Sequence, residues 1–258
     1  MGDIYALVSG GGAPGVTTAA LALALTWPSP VILAECDPSG GDILAGLLGG
    51  QVPARQGLTE HAIEAGRGLQ AAHTILARQL IPLDGDRRTM LLPGMTDPRQ
   101  AAGLGSAWSA IAATLASQPA DVVADCGRLD AGDSQPLPVL LAARLVVVVV
   151  RPTLRQVWIA RSRIDILGRL LGGTDRLVVF LTGPGPHSAA EIESALGVTV
   201  SARLPADART AAALSDGATR RRQLVGGRLI GAADKAGQTI RAHGRGDMPR
   251  EAEAGAKL

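Results

Sequence analysis

Residues Leu145–Val150 read LVVVVV, and such a run has no polar side to turn toward water. A strand written this way is buried on both faces, which is the situation of a parallel sheet covered by helices above and below. Comparable short apolar runs occur at Ile4–Ser9, Val31–Glu35, Met90–Leu92, Val122–Asp125, Leu177–Leu181 and Val198–Ala202. Longer helical patterns separate them. Thr17–Trp27 is rich in Ala and Leu and stops at Pro28. Pro98–Ser117 opens with Asp97 as N-cap and Pro98 at the first helical position. Leu154–Leu171 places Leu154, Val157, Trp158, Ile164, Leu167 and Leu171 on one stripe. Alternation of strand and helix predicts a doubly wound α/β domain with a mostly parallel sheet.

The expected domain spans residues 1–242. Gly40–Gly68, rich in Gly and polar residues, is expected to form helices and loops across the mouth of the sheet. From His243 the chain reads HGRGDMPREAEAGAKL without large apolar residues at helical spacing, so 243–258 is expected to be a disordered tail.

Composition excludes several classes of function. Of 25 basic residues only Lys235 and Lys257 are lysines, so chemistry that needs a lysine in the body of the fold is ruled out. A formal net charge of +2 gives no general attraction to nucleic acid. Aromatic residues are too scarce for base-stacking platforms. The two cysteines, Cys36 and Cys126, form no CxxC or Cys/His motif, which argues against disulfide scaffolds and structural zinc and suits a reducing, cytoplasmic setting. The opening residues lack the pattern of a signal peptide, and the longest apolar run, broken by Pro138 and Arg144, is too short to insert in a membrane.

The first strand runs directly into GGGAPGVTT and then a helix. Gly10-x-x-x-x-Gly15-Val16-Thr17 matches the phosphate-loop pattern GxxxxGK[ST] at every position except the lysine, which is Val16. In such a loop, glycines let successive main-chain N–H groups converge on an anion, the helix N-terminus adds partial positive charge, and the hydroxyl holds magnesium. Glycine-rich strand–helix turns also occur as plain tight turns, but the repetition of the whole context favours a phosphate cradle. Two later strands end in acids, Glu35-Cys36-Asp37 and Asp125-Cys126-Gly127. Beyond the carboxyl ends of a parallel sheet these carboxylates would sit near the loop, able to order a magnesium shell or position a water. A single acid there reads equally well as a turn cap; three together with the loop favour a site.

These segments resemble, in order, the motifs of the ParA/MinD family of deviant phosphate-loop ATPases: SGGGAPGVTTAALALA at 9–24, VILAECDPSGGD at 31–42, DVVADCG at 121–127, LVVVVVRPT at 145–153 and LPADARTAAALSDG at 204–217. The resemblance implies ATP and Mg2+ as cofactors. It places Gly10, Gly11, Gly12, Gly15, Val16, Thr17 and Thr18 around the phosphates, with Pro205 and Asp207 in the turn that lines the adenine pocket. It further implies Glu35 and Asp37 as the paired switch acids, Asp37 handling catalytic water, and Thr17, Asp37 and Asp125 about the metal.

The departures are equally specific. The family's signature lysine and its ordinary loop lysine fall on Gly11 and Val16, and its base-reading asparagine on Thr182. Each missing cation removes transition-state stabilisation at the β/γ-phosphates, so weakened nucleotide binding and little hydrolysis are expected. Only arginine could stand in, and Arg128, Arg151 and Arg155 lie near strand ends, though such side chains read better as solvated. Eroded loop lysines resemble the CpaE/TadZ-type localisation factors of pilus secretion systems. Three readings follow from the resemblance: a positioning or assembly factor with weak or absent hydrolysis, an active partitioning ATPase that binds DNA as a dimer, and a pseudo-ATPase that heterodimerises with a lysine-bearing relative. Arg220-Arg221-Arg222 and Arg228 suit DNA phosphates but read better as a solvated face. The tail has no apolar helical face, so membrane attachment by that route is not expected. Cys36 and Cys126 read as buried inert thiols, and His61 and His187 as isolated side chains.

Overall fold

The computed structural model describes residues 1–50, 56–65, 67–130, 134–217 and 226–245. Among these, eight strands form one sheet in the order β3-β4-β2-β5-β1-β6-β7-β8. They are β1 (Ile4–Ser9), β2 (Val31–Glu35), β3 (Ile81–Pro82), β4 (Thr89–Leu92), β5 (Asp121–Arg128), β6 (Leu145–Val150), β7 (Leu177–Thr182) and β8 (Val200–Leu204). Every pairing is parallel except β3 against β4. The continuous apolar runs are explained by layers on both faces. Ile4, Ala6 and Val8 of β1 enter one core, while Tyr5 and Leu7 enter the other. Strand β3 was not legible in the sequence: two residues with a proline make an edge strand with no apolar run.

Helix α1 (Val16–Thr26) is apolar nearly all round because it lies against the sheet and under a long C-terminal helix. The remaining α-helices are α2 (Leu58–Ala65), α3 (Leu69–Gln79), α4 (Trp108–Ala116), α5 (Leu137–Ala142), α6 (Leu154–Leu171), α7 (Ala189–Leu196), α8 (Ala208–Asp216) and α9 (Arg228–Arg245). The single helix expected over Pro98–Ser117 is two pieces, a 3-10 turn at Pro98–Leu104 and then α4. Gly103, Gly105 and Ser106 at the junction weaken a continuous α-helix. Asp97 does cap the first piece, accepting from the Arg99 N–H at 2.9 Å.

Helix α9 extends to Arg245, past the expected boundary at His243; the rest of the tail lies outside the described residues. Buried Asp121 anchors α9, accepting from Trp27 Nε1 at 2.9 Å, Ser29 at 3.2 Å and the Asp3 N–H at 3.1 Å, and pairing with Arg241 at 3.1 Å. Among the described residues no helix is long and apolar enough to cross a membrane.

The stripe expected on α6 is rotated. Val157, Ile164 and Leu167 are buried with Ala160 and Gln156, but Leu154 is 70% and Trp158 74% exposed. The turn after β1 packs against α6 at Gln156, Ile159 and Ala160. A Cβ on Gly10 would stand 3.0 Å from the Ala160 Cα, and one on Gly11 3.1 Å from Ile159 Cγ2.

Candidate functional site

Strand β1 has β5 on one side and β6 on the other, so the chain reverses direction across the sheet at its carboxyl end. Parallel sheets bind ligands at such a point. Leu7 pairs with Asp125 and Asp125 with Glu35, which brings the ends of β1, β5 and β2 side by side.

The turn after β1 is open. A cavity of about 350 Å³ is lined by Ser9, by Gly12–Thr18, by Asp37 and Ser39, and by Gly127 and Arg128. Gly15, with φ 94°, is the N-cap of α1 and offers no side chain to its free N–H groups, and no acid occupies the first turn. Those amides therefore face the cavity uncapped, the condition for holding an anion. Val16, at the loop-lysine position, is only 6% exposed and packs into the core layer of Tyr5 and Leu7 while its edge borders the cavity. Gly10 and Gly11 do not line the cavity; their lack of a side chain lets α6 approach.

The Thr17 hydroxyl hydrogen-bonds the Asp125 carboxylate, as does the Gly127 N–H at 3.1 Å. Burial nevertheless pushes the Asp125 carboxyl up to about 7, with the charges of Asp37 and Glu35 adding to the effect. Asp37 lies over Gly127 and accepts from the Ser39 N–H at 2.7 Å. Thr17 and Asp37 thus line the cavity, and Asp125 lies buried behind Thr17. Among the described residues no three His, Cys, Asp or Glu side chains are grouped to hold a metal by themselves.

Glu35 is turned away from the cavity into a web of main-chain amides. It accepts from the N–H groups of Asp42 at 2.9 Å, Ile43 at 3.0 Å and Gly94 at 3.0 Å. Burial raises its pKa against the pull of those three donors. Its visible work is to shape the segment after β2.

A second cavity, of about 400 Å³, shares Pro14, Gly15 and Thr18 with the first and continues past Arg151, Thr182, Pro184, Pro205 and Asp207. Thr182 donates its hydroxyl to the Pro14 carbonyl at 2.7 Å, tying β7 to the loop. Pro205 lines the wall. Asp207 lines it too, but its carboxylate caps α8, accepting from the Thr210 N–H at 3.1 Å and the Thr210 hydroxyl at 2.7 Å.

No family model and no curated relative matches the sequence. Solved structures do. A ParA family ATPase from Chlorobium tepidum TLS superposes with a TM-score of 0.73 at 16% identity, over 93% of this chain and 98% of that one. The septum site-determining protein MinD of Pyrococcus horikoshii OT3, in complex with Mg-ADP, gives 0.69 at 16% identity, over 93% and 96%. A single-residue variant of Cyanothece McdA in complex with ATP gives 0.66 at 16% identity, over 94% and 96%. The chain has the ParA/MinD fold. Within the ParA/MinD fold the paired cavities lie along the loop between β1 and α1.

Gln156 escaped sequence reading, whereas Arg128, one of the three strand-end arginines that the sequence offered, is placed by the fold. Gln156, buried on α6, brings its side-chain amide within 2.5 Å of where a Cβ on Gly12 would stand. A polar residue at a position the helical period buries was the available signal. Arg128 lines the phosphate-side cavity because β5 gains a residue against β1: Leu7 pairs with Asp125, but Ser9 with Arg128. That bulge has no signature in the sequence beyond Gly127, whose φ is 62°. Arg220–Arg222 lie outside the described residues. Cys36 and Cys126 are both buried free thiols. His61 is fully buried, whereas His187 is partly exposed at the start of the α7 cap.

Proposed function

We propose that this protein binds a magnesium–adenine nucleotide in the two joined cavities and acts as a ParA/MinD-like positioning or assembly factor of the CpaE/TadZ kind, with little or no ATP hydrolysis. The observation that carries the reading is the open, uncapped α1 N-terminus inside a cavity whose lysine position is filled by Val16. Main-chain amides are enough to hold phosphates; the cations that stabilise phosphoryl transfer are what this loop lacks. Thr17, Asp37 and Asp125 offer only oxygen donors, the chemistry magnesium prefers, and bound magnesium would neutralise β- and γ-phosphate charge. The bound nucleotides of the MinD and McdA structures support the choice of ligand.

Self-association belongs to the same reading. Leu154 and Trp158, one turn apart and exposed, lie on α6, the helix whose Gln156, Ile159 and Ala160 pack near Gly10–Gly12. The assembly is a homodimer or a heterodimer with a lysine-bearing relative, and secretion or pilus-assembly proteins are the partners in view. DNA binding is the weaker alternative.

Titration calorimetry with Mg-ATP and Mg-ADP, a phosphate-release assay, and light scattering with and without nucleotide test the proposal together. Binding with negligible release supports it. Turnover typical of an active ATPase would replace it with the partitioning reading, and absence of binding would leave only the scaffold.

A further inference from the structure

We infer that Arg128 supplies the phosphate-binding cation of this site from the end of β5, in place of the lysine that Val16 replaces. The inference rests on the nucleotide reading above. Among the residues lining the phosphate-side cavity Arg128 is the one cation. Its backbone is held beside the loop: it pairs with Ser9, and the next residue, Leu129, donates its N–H to the Ser9 carbonyl at 2.9 Å. The extra residue in β5, taken up at Gly127, is what brings position 128 to the cavity wall.

The other two arginines near the strand ends are placed differently. Arg151 reaches toward the Ala13 carbonyl at 3.4 Å and lines the second cavity, while Arg155 is exposed and lines neither. Arg128 is engaged by Asp130, whose Oδ2 accepts from Nε at 2.9 Å and from Nη2 at 2.5 Å. Both side chains of that pair are about half exposed, at 54% and 46%, and such pairs are weak in water. A guanidinium held that lightly can exchange a carboxylate for a phosphate, which it binds with the same two-pronged geometry. The cavity also needs a positive charge. Asp37 lines it, Asp125 lies buried beside Thr17, and a triphosphate would add anionic charge to a region without a lysine.

The test titrates Mg-ATPγS and adenosine separately into wild-type protein, Arg128→Gln and Arg128→Lys, with thermal melts to verify folding. Wild type is expected to bind Mg-ATPγS well above adenosine. Arg128→Gln should lose about tenfold or more of its affinity for Mg-ATPγS with adenosine binding unchanged, and Arg128→Lys should recover part of it. Equal Mg-ATPγS affinity in wild type and Arg128→Gln would overturn the assignment and leave the nucleotide reading standing. Failure of wild type to bind either probe would overturn both.

Discussion

Gly127 lies so close under the Asp37 carboxyl that a methyl group at 127 would occupy the same space. The contact couples the bulge in β5 to the segment after β2, and therefore the placement of Arg128 to that of Asp37. Gly127 also has φ 62°, a conformation that L side chains adopt at a cost. Gly127→Ala is expected to destabilise the protein by about 1–3 kcal/mol in urea unfolding and to weaken Mg-nucleotide binding through displacement of Asp37.

Glu35 provides a separate check. Its carboxylate gathers the N–H groups of Asp42, Ile43 and Gly94, so its loss frees three donors in a buried place. Glu35→Ala should cost about 2–4 kcal/mol, more than Glu35→Gln, which keeps one oxygen acceptor. Urea unfolding ranks the two. Equal costs would mean that the amides find other partners.

Val16 borders the cavity with its side chain packed in the core. In Val16→Lys the aliphatic stem follows the same apolar surface and the ammonium reaches the cavity. Affinity for Mg-ATP is expected to rise about tenfold, while the ligand-free protein loses about 1 kcal/mol of stability from the cation brought close to buried groups. Calorimetry and thermal melts read both effects. Unchanged affinity would mean that the cavity does not admit the phosphates.

His61 governs a pH effect. Burial, with the charge of nearby His73 adding, lowers its pKa from 6.5 to about 4, so the folded protein keeps it neutral where the unfolded chain takes up a proton. Stability should therefore fall as pH drops from about 6.5 to about 4, by up to about 3 kcal/mol, and should not change through this group above pH 7. In His61→Leu that part of the slope should vanish. Urea midpoints measured across the range decide it.

What the order of residues determined by itself was the local and repetitive part. Runs such as LVVVVV read as strands covered on both faces, and the glycine-rich turn between strand and helix marks where an anion cradle can form. The empty lysine positions were equally plain. Packing decided the rest, because it depends on contacts far apart in the chain. Gln156, Ile159 and Ala160 face the glycine loop, which leaves Leu154 and Trp158 in solvent. Glu35 points into main-chain amides because the segment after β2 folds back over it. A single extra residue in β5 put Arg128 at the cavity, and a one-residue slip between strands is set by tertiary register, which no local pattern records.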